Sequence, residues 1–144
     1  MSLFSLVGVL GCSSQVSDGA GGGGGGSGGS GVTSSGLESP SFAEVYAKII
    51  EPGGCASDYC HGHGDLVLHD QATAYASLVG KATTQEGCGG AVRVVPGAPE
   101  GSVFYLKLSE EKPACGSRMP IGKEPFGEAE LSLVRAWIAG GARE

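Results

Sequence analysis

A chain of 144 residues has room for one small folded domain once any leader is removed. Its net charge of −6, with acids and bases scattered along the chain, excludes the basic patch expected of a nucleic-acid surface. Glycine numbers 28, but the excess lies before Pro40, so it marks a linker and leaves the remainder free to fold.

Residues 1–11, MSLFSLVGVLG, are too short to span a bilayer as a stable helix and read as the apolar core of a signal peptide. Val9-Leu10-Gly11-Cys12 resembles a bacterial lipobox, a branched apolar residue, Leu and a small residue before Cys. In leaders of that kind the thiol is diacylated, the chain is cut before the Cys, and the new amine is acylated. Cys12 is therefore the expected lipidation site. No Lys or Arg precedes the apolar run, which leaves open a start further upstream. The alternative, a Cys buried in a packed N-terminal segment, fits poorly with the Gly-rich stretch that begins just after Cys12.

Ser13 to Ser39, with Gly21–Gly26 inside it, has little to bury and much entropy to lose on ordering. It reads as a disordered Gly-rich tether with a mean reach of roughly 25–30 Å by chain statistics. Three acyl chains exceed what stable anchoring requires. Ser13, where an inner-membrane retention signal would place Asp, points to the outer membrane, with the head facing the periplasm or the cell surface. The expected organisation is a leader (1–11), a lipidated Cys with its tether (12–39) and a folded head (40–144).

The head is expected to be mainly α, with long loops. Ser41 and Glu44 form a capping box, and Phe42, Val45 and Ile49 share the face of the helix it opens. Pro52-Gly53-Gly54 ends that helix just before Cys55. Asp70 caps a second helix carrying Tyr75, Leu78 and Val79 and ending at Gly80. Ser102 caps a third, with Val103, Leu106 and Tyr105 inward. A last helix runs from about Gly127 to Ala139, with Leu131, Val134 and Ile138 on one face and Trp137 beside them. Val92–Val95 is β-branched but too short for a convincing strand. Loops this long need an organiser, such as a cofactor, a metal or disulfides.

Five cysteines is an odd number, and position sorts them. Cys12 belongs to the leader. Cys55-Ala-Ser-Asp-Tyr-Cys60-His61 sets two thiols just before an imidazole. That order attaches haem covalently: the thiols add to the porphyrin vinyls and the His becomes the proximal iron ligand. The usual spacer between the thiols is two residues, whereas here it is four. A local disulfide and a zinc site of Cys55, Cys60, His61 and His63 are the competing chemistries. Zinc is disfavoured because no second tightly spaced knuckle is present. Met119 precedes Pro120, which pushes it out of helical backbone and into a loop, where its thioether suits a distal ligand. An ordinary packed Met is the alternative, and His69 is the second candidate for the distal position. Cys88 and Cys115 remain as a disulfide that would hold the Met119 loop, in keeping with an oxidising compartment. Arg93 and Arg118 suit haem propionates, or else a solvated surface.

The order helix, Cys-Cys-His, loops, Met-Pro, terminal helix resembles class I cytochrome c. More closely, residues 42–142 resemble the cytochrome-c-like heads of lipoproteins in myxobacteria and related bacteria. The matching elements are Cys55…Cys60-His61-Gly62, Tyr75-Ala76-Ser77-Leu78-Val79, Arg93-Val94-Val95-Pro96-Gly97, Lys107-Leu108, Arg118-Met119-Pro120 and Trp137-Ile138…Gly141-Ala142. The resemblance implies a small cytochrome c-like helical domain holding one covalent haem c. It implies a one-electron carrier in the cell envelope, not an enzyme, with an unidentified redox protein as partner and the membrane reached through the lipid anchor. Without haem, the same chain would be an interaction or structural lipoprotein of the envelope on a cytochrome-like scaffold. An unligated Met119 would open the iron to peroxidase-like or sensor chemistry.

Fatty-acid labelling of the cells tests the anchor. The wild-type protein is expected to carry label and Cys12→Ser none; an unlabelled wild type rules out the lipobox.

Overall fold

A computed structural model describes residues 38–144, which carry four α-helices and no strand among them. The leader, Cys12 and the tether up to residue 37 lie outside the described residues. Among those described, no helix is long and apolar enough to cross a membrane.

Helix α1, Phe42–Val45, opens on the capping box: Glu44 N–H donates to Ser41 Oγ, and Ser41 N–H donates to the Glu44 carboxylate at 3.0 Å. The chain then widens into π-helical winding over Tyr46–Ile50. Its backbone bonds span five residues, from Glu51 N–H to Tyr46 O at 3.0 Å and from Cys55 N–H to Ile50 O at 3.1 Å. Turns of this width are rare and concentrate at functional sites. Phe42, Val45, Tyr46, Ile49 and Ile50 are all buried.

Helix α2, Gln71–Leu78, is capped as the sequence indicates, with Thr73 N–H donating to Asp70 Oδ1 at 2.9 Å. Two isolated bridges come after it, Val79 with Val94 and Ala82 with Val92, so the β-branched run contributes single rungs and no strand. A 3-10 turn, Pro99–Gly101, leads into α3, Val103–Ser109.

Ser102 does not cap α3 through its side chain. Its buried hydroxyl accepts from Val95 N–H at 2.8 Å and donates to Ala98 O at 2.8 Å, bracing the loop before the helix. The first N–H groups of α3 are taken by carbonyls instead: Val103 donates to Val92 O at 3.1 Å and Phe104 to Arg93 O at 2.8 Å. With those donors satisfied from outside, the Ser hydroxyl is free for another task. Val103 and Leu108 are the buried residues of α3, whereas Tyr105 and Leu106 are only half-buried.

Helix α4, Glu128–Ala139, packs against both α1 and α3. Val134, Trp137 and Ile138 are buried and Leu131 only partly so. Trp137 lies at the centre of the core, 5.1 Å from the Phe42 ring centroid. Phe42 in turn meets Tyr75 edge-on at 5.3 Å. Beyond α4 the chain turns back, and the Arg143 carbonyl accepts from Trp137 Nε1 at 2.7 Å and from Phe42 N–H at 3.2 Å. Tyr75 OH donates to the neighbouring Ala142 carbonyl at 3.0 Å.

Trp137→Ala is expected to cost about 3–5 kcal/mol, the range for deleting a large buried aromatic. Urea unfolding monitored by circular dichroism checks it, and a loss under about 1 kcal/mol contradicts this account of the core.

Candidate functional site

The π-helical winding delivers the chain to Gly53, Gly54 and Cys55. From there the four-residue spacer folds back on itself. Cys60 N–H and Gly62 N–H both donate to Ser57 O at 2.9 Å, and His61 N–H donates to Cys55 O at 3.0 Å. The first thiol residue and the imidazole residue are thus joined backbone to backbone, and the extra length bulges outward with Tyr59 fully exposed. Gly62 makes this possible. A Cβ there would stand 2.9 Å from Asp58 Cα and 2.6 Å from its carboxylate.

A cavity of about 630 Å³ opens beside this loop. That is within the usual size range of cofactor sites. Cys55, Cys60, His61 and Met119 all line it. Its apolar walls come from Leu66 and Leu68 after the thiol loop, Leu78 of α2, and Val103, Phe104 and Leu108 of α3. Met119 is seated from behind: its N–H donates to Lys107 O at the end of α3, 2.8 Å away. The Met119–Pro120 peptide bond is cis.

Cys55 and Cys60 are both free thiols, the first partly buried and the second exposed. The local disulfide is therefore not formed. Among the described residues no three His, Cys, Asp or Glu side chains gather as a metal-ion site, so the four zinc candidates line one cavity without forming a ligand set. His63 lines the cavity but is exposed. His69 lies outside the lining, half-exposed and 2.7 Å from the Asp70 carboxylate, so the second candidate for the distal position does not face the site.

The electrostatics suit ligation. Burial pulls the His61 pKa down, and the positive charges of Lys107 and Arg93 add to this. The imidazole is then neutral at neutral pH, with a lone pair to give. Burial also pushes the Cys55 thiol up, as does Cys60, while Lys123 opposes the rise. Lys123 reaches across from the Met119 loop to donate to Gly53 O at 2.9 Å.

Arg93 is buried, and its hydrogen bonds are committed. Nη1 donates to Ser77 O at 2.9 Å and Asp65 O at 3.2 Å, and Nη2 to the Asp65 carboxylate at 2.6 Å. Asp65 also accepts from Thr84, and that bond leads Arg93 in holding its carboxyl below the usual range. Arg118, the other Arg suited to propionates, does not line the cavity.

The donor set fits a covalent haem. Two free thiols, a neutral imidazole and a thioether from a separate loop surround one apolar hollow. Sequence reasoning missed Lys123, Gln85 and Asp65 altogether and left Lys107 without a role; all four line the cavity. For Lys107 the only sequence signal is its place in the Lys107-Leu108 element.

Cys88 and Cys115 form a disulfide that ties the loop carrying Thr83, Thr84 and Gln85 to the segment leading to Met119. No protein-family profile, no curated protein and no solved structure matches the chain.

Replacing Cys88 and Cys115 together by Ser is expected to lower stability by about 3–4 kcal/mol on chain-entropy grounds. The midpoint of urea unfolding measures it. Wild-type protein under reducing agent should match the variant.

Proposed function

We propose that this chain is a membrane-anchored c-type haem protein that passes single electrons in the cell envelope. What supports the reading is that Cys55, Cys60, His61 and Met119, up to 64 residues apart in the chain, line one largely apolar cavity. The four-helix head is then a small cytochrome-c-like domain with its long loops arranged around the cofactor.

Each residue has a defined task. Cys55 and Cys60 would hold the porphyrin through thioethers, His61 would offer a neutral nitrogen to the iron, and Met119 would offer a thioether, which favours the reduced state and raises the potential. The bound group supplies one-electron exchange between ferrous and ferric iron. The aliphatic walls keep water away, and the disulfide and the Lys107 carbonyl hold Met119 in reach. With His61 and Met119 both holding the iron, the role would be electron transfer and not catalysis. The partner is a redox protein, reached by a head tethered to the membrane through Cys12.

Expression in a host that matures c-type cytochromes tests this. The wild-type protein is expected to give a haem-staining band on a denaturing gel. Cys60→Ala should lose attachment, and Cys55→Ala should keep one thioether with a shifted spectrum. A colourless wild type favours the haem-free envelope lipoprotein instead. Met119→Ala should remove the weak ferric absorption near 695 nm that iron–thioether bonds give, lower the potential and admit carbon monoxide (the wavelength is approximate). An unchanged spectrum means the Met119 thioether is not the sixth ligand.

A further inference from the structure

The cavity carries more positive charge than its acidic chain would suggest. Its charged lining is Asp65, Arg93, Lys107 and Lys123, so cations exceed carboxylates in a protein of net charge −6. Two of the three cations are engaged. Arg93 is consumed by Asp65 and two backbone carbonyls, and Lys123 donates to Gly53 O.

Lys107 is different. It is half-buried on α3, and among the described residues its one acceptor is Ser117 O at a long 3.4 Å. No carboxylate lies within ion-pair reach of it among the described residues. A cation partly withdrawn from water without an anion costs free energy that a carboxylate would offset.

A second donor stands next to it. A Cβ on Gly116 would collide with both the Gln85 amide nitrogen and the Lys107 ammonium, so the two nitrogens stand side by side against Gly116, and both side chains line the cavity. Gly116 lies in the left-handed region, at φ +66°, where a side chain would be strained as well as obstructed. The arrangement is fixed from outside. Gly116 follows Cys115, whose disulfide partner Cys88 sits three residues after Gln85 and donates its N–H to the Gln85 carbonyl at 3.2 Å.

We propose that Lys107 and Gln85 form a carboxylate-receiving corner of the cavity and take a propionate of the bound porphyrin. The proposal rests on the haem reading and assigns the orientation of the group within the cavity. It also transfers to Lys107 the part that the sequence suggests for Arg93 and Arg118. An ammonium and an amide N–H standing side by side on the cavity lining match the two oxygens of one carboxylate, and neither aliphatic wall nor thiol can play this role.

The full-length chain, made without cytochrome maturation, is titrated with haem and with haem dimethyl ester, and binding is followed by absorbance. The wild type is expected to bind the free acid roughly tenfold more tightly than the ester, the worth of one charge-assisted hydrogen bond. Lys107→Met should remove that preference, Lys107→Arg should retain most of it, and Gln85→Leu should reduce it roughly threefold, as for the loss of a donor that carries no charge of its own. Lys48→Met, exposed and outside the cavity, should leave it unchanged. If the wild type takes up acid and ester equally, or Lys107→Met keeps the full preference, the corner is not a carboxylate site and the haem reading stands. If the wild type takes up neither, the corner proposal falls, while the haem reading is decided by the haem-staining band of the matured protein. Folding is separated from binding in the matured protein. There Lys107→Met should retain its haem-staining band and show a lower reduction potential, because a positive charge of the cavity lining is gone. An unchanged potential overturns the proposal.

Discussion

The structure depends on one carbonyl oxygen. Arg143 O accepts from the Trp137 indole and from the Phe42 backbone, and the two aromatic rings lie against each other beneath it. This joins the first residue of the first helix to the last helix and closes the domain from both ends. Tyr75, bonded to the next carbonyl back, fastens α2 to the same point. Each of these rings combines apolar burial with a polar contact made at or beside it, so packing and hydrogen bonding are achieved by the same residues. Short helices of this kind do not hold themselves together in isolation, and tertiary packing makes them stable.

Away from that centre, the molecule is held by single polar contacts and one covalent bond. Arg93 joins the loop after the thiols to the end of α2, Ser102 braces the turn before α3, and the disulfide gathers two loops that lack secondary structure. Among the described residues, no buried side-chain nitrogen or oxygen lacks a partner. The loops are therefore specified, though little apolar area is committed to them. Their inner faces help to form the cavity, and Leu68, Leu78 and Leu108 there belong to the hydrophobic core as well, so the core and the cavity share a wall.

The elements legible in the sequence are those governed by neighbours in the chain. Ser41 with Glu44 and Asp70 with Thr73 are local capping interactions, and the apolar spacing along α1 and α4 is a local pattern. So is the succession of Cys55, Cys60 and His61, whose placement on one cavity with Met119 follows from the fold. What the sequence does not reveal is set by distant partners. Ser102 looks like an ordinary cap until Val92 and Arg93 supply carbonyls to the helix it precedes. Arg93 looks like a surface charge until Asp65 and Ser77 meet it. Lys107 and Gln85 lie 22 positions apart, and the fold brings their nitrogens together beside the Cys88–Cys115 disulfide.

The π-helical winding over Tyr46–Ile50 makes the domain more sensitive to chain length than to composition at that point. One residue of an α-helix is a rotation of about 100° and a rise of about 1.5 Å. A wide turn accommodates one residue more than an α-helix would. Removing a residue between Tyr46 and Ile50 would let the segment relax to ordinary α winding and turn everything after it, Gly53 and the Cys55 thiol included, relative to Phe42. Conservative replacements at these positions alter packing by a methyl group or two, whereas a single deletion re-aims the thiol. The register of the first helix is thus a fixed part of the cavity, although no residue of that helix lines it.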